Sequence, residues 1–319
     1  MGRKFMESRI ILSAAELDLF TILSKDSMSA HEIAKKLNGS LRGITILLNA
    51  LVAMGLLEKK NERFRTPTEA APLLSKDSPT SIMPMLMHSV ALWRRWSALT
   101  DIVRQNTDMS RPSAPEFKEK DQEAFIGAMH AVAYQLAPSI VAAINPGAAK
   151  KLLDIGGASG TYTQAFLEAC PDMRATLFDL PPVIEMARRR LSGTGVFGRI
   201  TLAAGDFYTD ELPAGHDLAL LSAIIHQNSM EQNLALYRKI YRSLEPGGRL
   251  VIRDHVMSPD RTQPVSGALF AVNMLVGTQS GGTYTFEEFH EALEAAGFIK
   301  INLVQQDDRM NGLIEGFRP

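Results

Sequence analysis

Apolar residues follow a helical period through the first 55 positions and then alternate over a short charged segment. This pattern predicts helices at residues 10–23, 29–37 and 41–54 and a hairpin within 56–66. Ser29 stands three residues before Glu32, which is the spacing of a capping box at a helix start. The first part of the chain is therefore predicted to be helical and to close with a hairpin.

From residue 150 onward, short apolar runs alternate with amphipathic segments. The predicted strands are residues 151–155, 175–180, 200–204, 218–224 and 249–257, with 299–305 and 312–317 as a terminal hairpin around a turn at 306–311. Such alternation is typical of a parallel sheet with helices on both faces. The connecting region is predicted to be helical, with a loop at 107–115 and a helix at 125–137 that Pro138 ends. We divide the chain into residues 1–85, 86–145 and 146–319.

Helices followed by a hairpin form a winged-helix pattern, which raises the question of DNA binding. The third predicted helix carries only Arg42, Thr45 and Asn49 among apolar residues, so we expect it to be buried. A recognition helix instead presents polar and basic side chains to bases and phosphates. Residues 1–80 contain 12 Lys and Arg against 9 Asp and Glu, too small an excess for a phosphate-binding surface. We interpret this unit as a contact with a second protomer, with no nucleic-acid partner.

Composition and charge argue against several kinds of partner and site. The net charge is −1 and the pI is about 6.7, so no general attraction to nucleic acid or anionic membrane is expected. No apolar run approaches the roughly 20 residues that span a bilayer, and the first residues do not form a signal peptide. A single cysteine excludes an internal disulfide, and the histidines lack metal-ligand spacing. We expect a cytoplasmic protein with no membrane partner and a mechanism without a metal.

The segment from Asp154 to Gly160 joins a buried strand to a glycine-rich turn and a helix start. Glycines allow close backbone approach to a ligand, and the helix start offers unpaired N–H groups. The spacing does not match the dinucleotide pattern GxGxxG, and an acid is out of place beside a pyrophosphate. The acid, Asp154, instead suits a ligand with a cationic amino group. The spacing DxGxxxG resembles the first motif of methyltransferases that use S-adenosylmethionine (SAM).

Two further strand ends carry acids. Asp179 follows Gly160 by nineteen residues, close to the spacing at which an acid accepts hydrogen bonds from ribose hydroxyls. Asp206 and Phe207 follow the third strand, where a carboxylate and an aromatic ring would contact an adenine. Each feature alone is weak, because acids and glycines are common in turns. Three suitable strand ends together favour a SAM site over a generic α/β core.

The chain resembles the small-molecule O-methyltransferases of plant and bacterial type, a family that includes hydroxyindole, caffeate and polyketide methyltransferases. The matching segments are Phe125-Ile126-Gly127-Ala128-Met129, the glycine turn, Gly205-Asp206-Phe207, Leu244-Glu245-Pro246-Gly247-Gly248-Arg249-Leu250 and Gly281-Gly282. The resemblance implies a Rossmann-like class I methyltransferase domain with a mostly parallel seven-stranded sheet, preceded by an all-α or winged-helix dimerisation domain. It also implies SAM as cofactor, with S-adenosylhomocysteine as its product, and a homodimer in which one amino-terminal domain helps to wall the other active site.

Cofactor and substrate residues follow from the motifs and the resemblance. The predicted cofactor-binding residues are Asp154, Gly156, Gly157, Gly160, Asp179, Leu180, Asp206, Phe207 and Ser222. The predicted substrate residues are Phe125, Met129, His130, Phe270, Met274 and Tyr284. The apolar residues among them predict only an apolar pocket. The family resemblance implies that the acceptor is a small, aromatic hydroxyl compound.

His226 is the predicted general base. It comes just after the fourth strand, and ligands of open parallel sheets lie at the carboxyl ends of strands. A phenol with a pKa near ~10 must lose its proton during methyl transfer, and an imidazole can take it. His226 also matches the catalytic histidine of the family. The alternative is that it caps the next helix or hydrogen-bonds a carbonyl group.

The residue that orients His226 is left open by the sequence. Asp254 is the better candidate, but His255 also fits the position, and Asp254 alternatively pairs with Arg253 or caps a turn. The chain departs from the family in having Gln227 and Asn228 after the histidine, where Asp-Trp is usual, and Thr283-Tyr284 after the glycine pair, where an acid is usual. These departures suggest a relative that binds SAM but has diverged in chemistry. A winged-helix regulator that senses a ligand is a further alternative.

Overall fold

The structure is a computed structural model that describes residues 2–78, 80–105 and 119–319, except for the side chains at 119–125, 128, 131 and 132. The predicted loop at 107–115 lies outside these residues. The described chain forms two compact units. One contains residues 2–78, 80–94 and 119–131, and the other contains 95–105 and 132–319. The three-part division of the chain stays a prediction.

The first unit is mainly helical. Its elements are α1 (Lys4–Glu16), α2 (Leu19–Lys25), β1 (Met28–Ser29), α3 (Ala30–Leu37), α4 (Leu41–Ala53), β2 (Glu58–Lys60), β3 (Arg63–Arg65) and α5 (Ala71–Leu74). The strands form a small sheet in the order β1-β3-β2. Phe20, Leu48 and Phe64 are buried in its core. The predicted hairpin and the Ser29–Glu32 capping box are both present.

Two predictions for this unit are wrong. The predicted helix at 10–23 is two helices, because Asp18 has a left-handed backbone with φ 54° and interrupts the helical hydrogen bonds. The third helix is buried on one face only: Ile44 and Leu48 are buried, while Leu41 and Ile46 are 48% and 55% exposed.

Three helices connect the two units along the chain. They are α6 (Met83–Trp96), α7 (Leu99–Gln105) and α8 (Glu119–Ile144). The prediction that Pro138 ends a helix is wrong, because α8 continues for six residues beyond it. Ile140, Val141 and Ile144 are buried in an apolar core of the second unit, and this packing offsets the hydrogen bond that a proline cannot donate.

The second unit alternates strands and helices, as the sequence predicts. In chain order they are β4 (Lys151–Ile155), α9 (Thr161–Ala169), β5 (Arg174–Asp179), α10 (Pro181–Leu191), β6 (Ile200–Ala204), β7 (His216–Ser222), α11 (Met230–Ser243), β8 (Leu244–Asp254), β9 (Val256–Met257), α12 (Val265–Gly277), β10 (Tyr284–Thr285), α13 (Phe286–Ala295), β11 (Ile299–Gln305) and β12 (Gly312–Phe317). A seven-stranded sheet has the order β11-β12-β8-β7-β4-β5-β6. Strands β6, β5, β4, β7 and β8 are parallel, and the β11–β12 hairpin is antiparallel at one edge. The predicted mostly parallel sheet is confirmed.

Residues of the sheet alternate between two cores, because successive side chains of a strand point to opposite faces. Leu250 and Ile252 of β8 pack in one core with α11 and α13, whereas Val251 packs in the other core with α8 and α9. The predicted strand at 249–257 is split at His255, since β9 pairs with β10 in a separate two-stranded sheet. The carboxyl ends of β4, β5, β6, β7 and β8 therefore meet along one edge.

Candidate active site

The glycine turn after β4 leaves no room for side chains. Gly156 has φ 65°, and a Cβ atom there would lie 2.5 Å from Cδ1 of Ile224. A Cβ at Gly157 would lie 2.9 Å from the carboxylate of Asp154. Gly160 immediately precedes α9. The turn is thus a backbone cradle with a helix start at one end, which suits a closely bound ligand.

Asp179 ties this turn to the next strand. One carboxylate oxygen accepts the N–H of Ala158 at 2.8 Å, and the other accepts the N–H of Leu180 at 2.7 Å. Burial raises the pKa of Asp179, and the two donated N–H groups oppose the shift. The side chain lies where the sequence predicts a ribose-binding acid, and Leu180, 40% exposed, follows it.

Asp154 lies beneath the glycine turn. It is 2% exposed, and its carboxylate accepts a hydrogen bond from the Thr163 hydroxyl at 2.6 Å. Burial, with a smaller contribution from the charge of Asp179, raises its pKa to about 6, although Thr163 acts in the opposite direction. A cationic group bound above the turn would favour the ionised carboxylate.

The loop after β6 lies beside the same turn. The ring of Phe207 would lie 3.8 Å from a Cβ at Gly156, and the Asp206 carboxylate accepts the N–H of Tyr208 at 2.8 Å. Lys239 of α11 donates to three carbonyl oxygens of this loop, including that of Phe207 at 2.9 Å. Sequence reasoning missed Lys239, because a lysine on an amphipathic helix gives no signal of a contact about 30 residues away.

His226 and Asp254 form a buried pair. His226 lies in a short 3-10 helix, Ile225–Gln227, just beyond β7, and Asp254 is the last residue of β8. Nδ1 of His226 lies 2.8 Å and 3.1 Å from the two carboxylate oxygens, and the residues are 9% and 1% exposed. Nδ1–H thus donates to Asp254, and Nε2 is the ring nitrogen that can accept a proton.

The structure excludes some of the alternatives for this pair. The next helix, α11, is capped by Ser229 and Gln232, so the cap interpretation of His226 is wrong. Asp254, rather than His255, meets the His226 ring, and His255 gives Asp254 only its backbone N–H, at 2.8 Å. Pairing of Asp254 with Arg253 is also wrong, because neighbouring strand residues point to opposite faces of β8.

Three of the predicted substrate residues lie in the second unit. The Phe270 ring, on α12, makes an edge contact with His226 and lies near His255, with ring centroids 4.8 Å and 5.1 Å away. Met274 is on the same helix and buried. Tyr284 is 8% exposed, and its hydroxyl donates to the carbonyl of Asn228, so this donor is used within the protein.

The other three predicted substrate residues, Phe125, Met129 and His130, lie on α8, in the part that belongs to the first unit. Met129 and His130 are half-buried, and the side chain of Phe125 lies outside the described residues. Their contact with an acceptor stays a prediction.

Asn228 connects several parts of the site, which the sequence did not indicate. It is fully buried, accepts a hydrogen bond from the Tyr208 hydroxyl at 2.5 Å and donates to Asn233 at 2.9 Å. The N–H of Gly282 donates to the His226 carbonyl at 2.8 Å. The His226 loop is therefore held from three sides.

The residues at this sheet edge fit SAM. The glycine cradle excludes side chains, and acids lie next to the end of β4 and at the end of β5. The buried Tyr162 hydroxyl and Arg253 Nε have no hydrogen-bond partner in the described part of the chain. A ligand with a nucleoside, an ammonium group and a carboxylate matches these groups. Within residues 2–78, 80–105 and 119–319, no group of three His, Cys, Asp or Glu side chains is placed to hold a metal ion. No helix in these ranges is long and apolar enough to cross a membrane.

Comparison with known proteins agrees with this site. Residues 96–299 match the model of the O-methyltransferase domain, and residues 3–77 match that of the O-methyltransferase dimerisation domain. The chain therefore belongs to the SAM-dependent O-methyltransferase family. It is an enzyme of this family that uses SAM as methyl donor.

Individual relatives extend over nearly the whole chain. A 3-hydroxy-5-methyl-1-naphthoate 3-O-methyltransferase of Streptomyces sahachiroi is 30% identical over 98% of this chain and 92% of its own length. A tetracenomycin polyketide synthesis 8-O-methyl transferase of Streptomyces glaucescens is 32% identical over 93% of this chain and 89% of its own length. The crystal structure of human N-acetylserotonin methyltransferase in complex with SAM superposes with a TM-score of 0.84, at 26% identity over 99% of this chain and 95% of that one.

Proposed function

We propose that the methyl acceptor is a small aromatic hydroxyl compound and that His226 removes the hydroxyl proton during transfer. One observation carries the assignment of the base: His226 Nδ1 lies 2.8 Å from the buried carboxylate of Asp254, at the carboxyl edge of the sheet. The pair directs Nε2 away from Asp254 and fixes the tautomer in which Nε2 is the basic nitrogen.

The chemistry needs such a base because a phenol with a pKa near ~10 is protonated at neutral pH. SAM supplies an electrophilic methyl group on a sulfonium sulfur. The protein would hold the acceptor oxygen in line with the methyl group and the sulfur. His226 would accept the hydroxyl proton as the oxygen–methyl bond forms and the sulfur–methyl bond breaks, with S-adenosylhomocysteine as the leaving group. Asp254 stabilises the resulting imidazolium by its negative charge.

Two arguments support an aromatic acceptor. The Phe270 ring makes an edge contact with the His226 imidazole, and Met274 is a buried apolar residue on the same helix. The names of the two relatives from Streptomyces indicate a naphthoate and a tetracenomycin polyketide as their substrates. Phe270 would stack on or meet the edge of an acceptor ring.

We further propose that the first unit is a winged-helix unit that joins two copies of the chain. The dimerisation match over residues 3–77 supports this, and so do large exposed apolar side chains at Phe5, Met6 and Ile46. Size-exclusion chromatography with light scattering should give a dimer, and Ile46→Asp should shift it toward monomer. A wild-type monomer would refute this assembly. A cytoplasmic location stays a prediction.

A second candidate is a family member with diverged chemistry. Asn228 and Tyr284 stand where the family usually has other residues. Here Asn228 accepts hydrogen bonds from the hydroxyls of Tyr284 and Tyr208. These positions hold the His226 loop rather than supply an acid. A wild-type protein that binds S-adenosylhomocysteine but methylates no hydroxyl compound would favour this candidate.

The role of His226 can be tested by measuring the transfer of a labelled methyl group from SAM to a panel of phenols and naphthols. We expect His226→Ala to lower turnover by about 10²- to 10⁴-fold with unchanged affinity for S-adenosylhomocysteine. His216→Ala is the matched control, because it removes a buried imidazole from the opposite end of β7. Methylation that is unaffected by His226→Ala would remove His226 as the base.

A further inference from the structure

Strand β8 ends in two charged neighbours with different surroundings. Asp254 meets His226, whereas Arg253 points to the opposite face of the sheet, toward α9 and the glycine turn. Arg253 pairs in register with Ser222, the last residue of β7 and a predicted cofactor residue. The guanidinium therefore lies at the SAM side of the strand ends.

Arg253 is a buried charge without a counter-charge. It is 6% exposed, and none of the described residues gives it a carboxylate partner within ion-pair distance. Its two Nη atoms donate to the hydroxyl of Ser222 at 3.3 Å and the amide oxygen of Asn311 at 2.7 Å, and its Nε has no partner in the described chain. A buried guanidinium is costly unless an anion or a full set of acceptors compensates it.

Tyr162 adds a second unsatisfied group at the same place. It is the second residue of α9, and the Arg253 guanidinium lies over its ring, 5.4 Å from the centroid. Its hydroxyl is buried and has no hydrogen-bond partner among the described residues. Burial raises the pKa of this hydroxyl, the nearby charge of Arg253 opposes the shift, and that of Asp154 adds to it. Tyr162 thus stays a neutral donor, between the cationic Arg253 and the acidic floor of the turn.

We propose that Arg253 and Tyr162 bind the carboxylate of the methionine portion of SAM. This assignment rests on SAM as the cofactor and gives each end of its amino-acid portion a partner of opposite charge. The ammonium group lies toward Asp154, and the carboxylate takes hydrogen bonds from the guanidinium and the phenol. The assignment also explains why an arginine without a carboxylate partner is retained in the interior.

The competing explanation is structural. The bond from Arg253 to Asn311 anchors the turn of the β11–β12 hairpin, because Asn311 in turn bonds to Asp307 at 2.8 Å. An arginine with only this role would affect stability and would not distinguish ligands that differ in their carboxylate. The test therefore has to vary the ligand as well as the protein.

Calorimetric titration should compare S-adenosylhomocysteine with its decarboxylated analogue, which keeps the adenosine, sulfur and amine. The wild type should bind the complete ligand about 10- to 100-fold more tightly. Arg253→Met should remove most of this difference by weakening S-adenosylhomocysteine alone. Tyr162→Phe should weaken the binding of S-adenosylhomocysteine about 3- to 10-fold and change the affinity for the analogue by no more than about twofold.

The matched control is Arg249→Met, which removes a half-buried guanidinium from the middle of β8, where Arg249 pairs with Glu315. We expect it to change thermal stability and leave the ratio of the two affinities unchanged. Equal losses for both ligands in Arg253→Met, or an unchanged ratio in Tyr162→Phe, would overturn the proposal. If Arg253→Met does not fold, Tyr162→Phe alone decides it, and a wild type that binds neither ligand would instead contradict SAM binding.

Discussion

Asp179 and Asp254 both end strands of the same sheet, yet the protein uses their carboxylates differently. Asp179 accepts two backbone N–H groups, from Ala158 and Leu180. Asp254 accepts the imidazole of His226 and one backbone N–H. The side of the site predicted to bind SAM is thus shaped by backbone groups and by glycines that leave no room for a side chain. The side that holds the proposed base depends on one side-chain pair, His226 and Asp254. The comparison predicts that substitutions on the two sides separate cofactor binding from turnover.

Of the substitutions in these two aspartates, Asp254→Asn should have the larger effect. An asparagine keeps the size of the side chain but not the charge that stabilises an imidazolium, so turnover should fall about 10²- to 10³-fold. The affinity for S-adenosylhomocysteine should stay within about twofold. Turnover from labelled SAM and calorimetric titration measure the two quantities. A variant that loses cofactor affinity as strongly as turnover would show that the two sides are not separable.

Asp179→Ala should have the opposite signature. It removes the acceptor of two N–H groups and the acid expected to bind the ribose, so affinity for S-adenosylhomocysteine should fall about 100-fold. Asp172→Ala is the control, because the side chain of Asp172 is 84% exposed and forms an ion pair with Lys150 on the surface. Unchanged calorimetric titration in Asp179→Ala would refute the assignment of the glycine turn to SAM.

A smaller effect concerns pH. Without ligand, the Asp154 carboxyl has a pKa of about 6 and is therefore neutral below this pH and charged above it. A cationic ammonium group prefers the charged form, so affinity for S-adenosylhomocysteine should rise with pH and be about tenfold weaker at pH 5 than at pH 8. Asp154→Asn should bind more weakly at pH 8 and show a flatter profile. A wild-type affinity that falls with rising pH over this range would contradict the role of Asp154.

The same comparison explains how far the sequence could predict the site. The glycine turn is a contiguous segment, and Asp179 follows it at a fixed spacing, so strand ends in register were enough to place both residues. The contact of His226 with Asp254 spans 28 residues, and the sequence could not choose between Asp254 and His255. The choice depends on the direction in which each side chain points at the end of β8, and this direction depends on where the strand ends and on its register.

Arg253, Asn228 and Lys239 were missed as site residues for a related reason. An arginine in a strand or a lysine on an amphipathic helix is usually a surface residue, and only the packed structure shows Arg253 buried and Lys239 bonded to three carbonyls. Helix α8 illustrates the opposite error. Pro138 is a strong local signal for a helix end, but burial of Ile140 and Ile144 overrides it.

The most direct test of the central claim compares acceptors of different acidity in the wild type and in His226→Ala. An ordinary phenol with a pKa near ~10 needs the base, whereas a nitrophenol with a pKa near ~7 is largely ionised at pH 8 and does not. Single-turnover methyl transfer in His226→Ala should fall about 10³-fold for the ordinary phenol and about tenfold or less for the nitrophenol. Equal losses for both acceptors would contradict proton removal by His226.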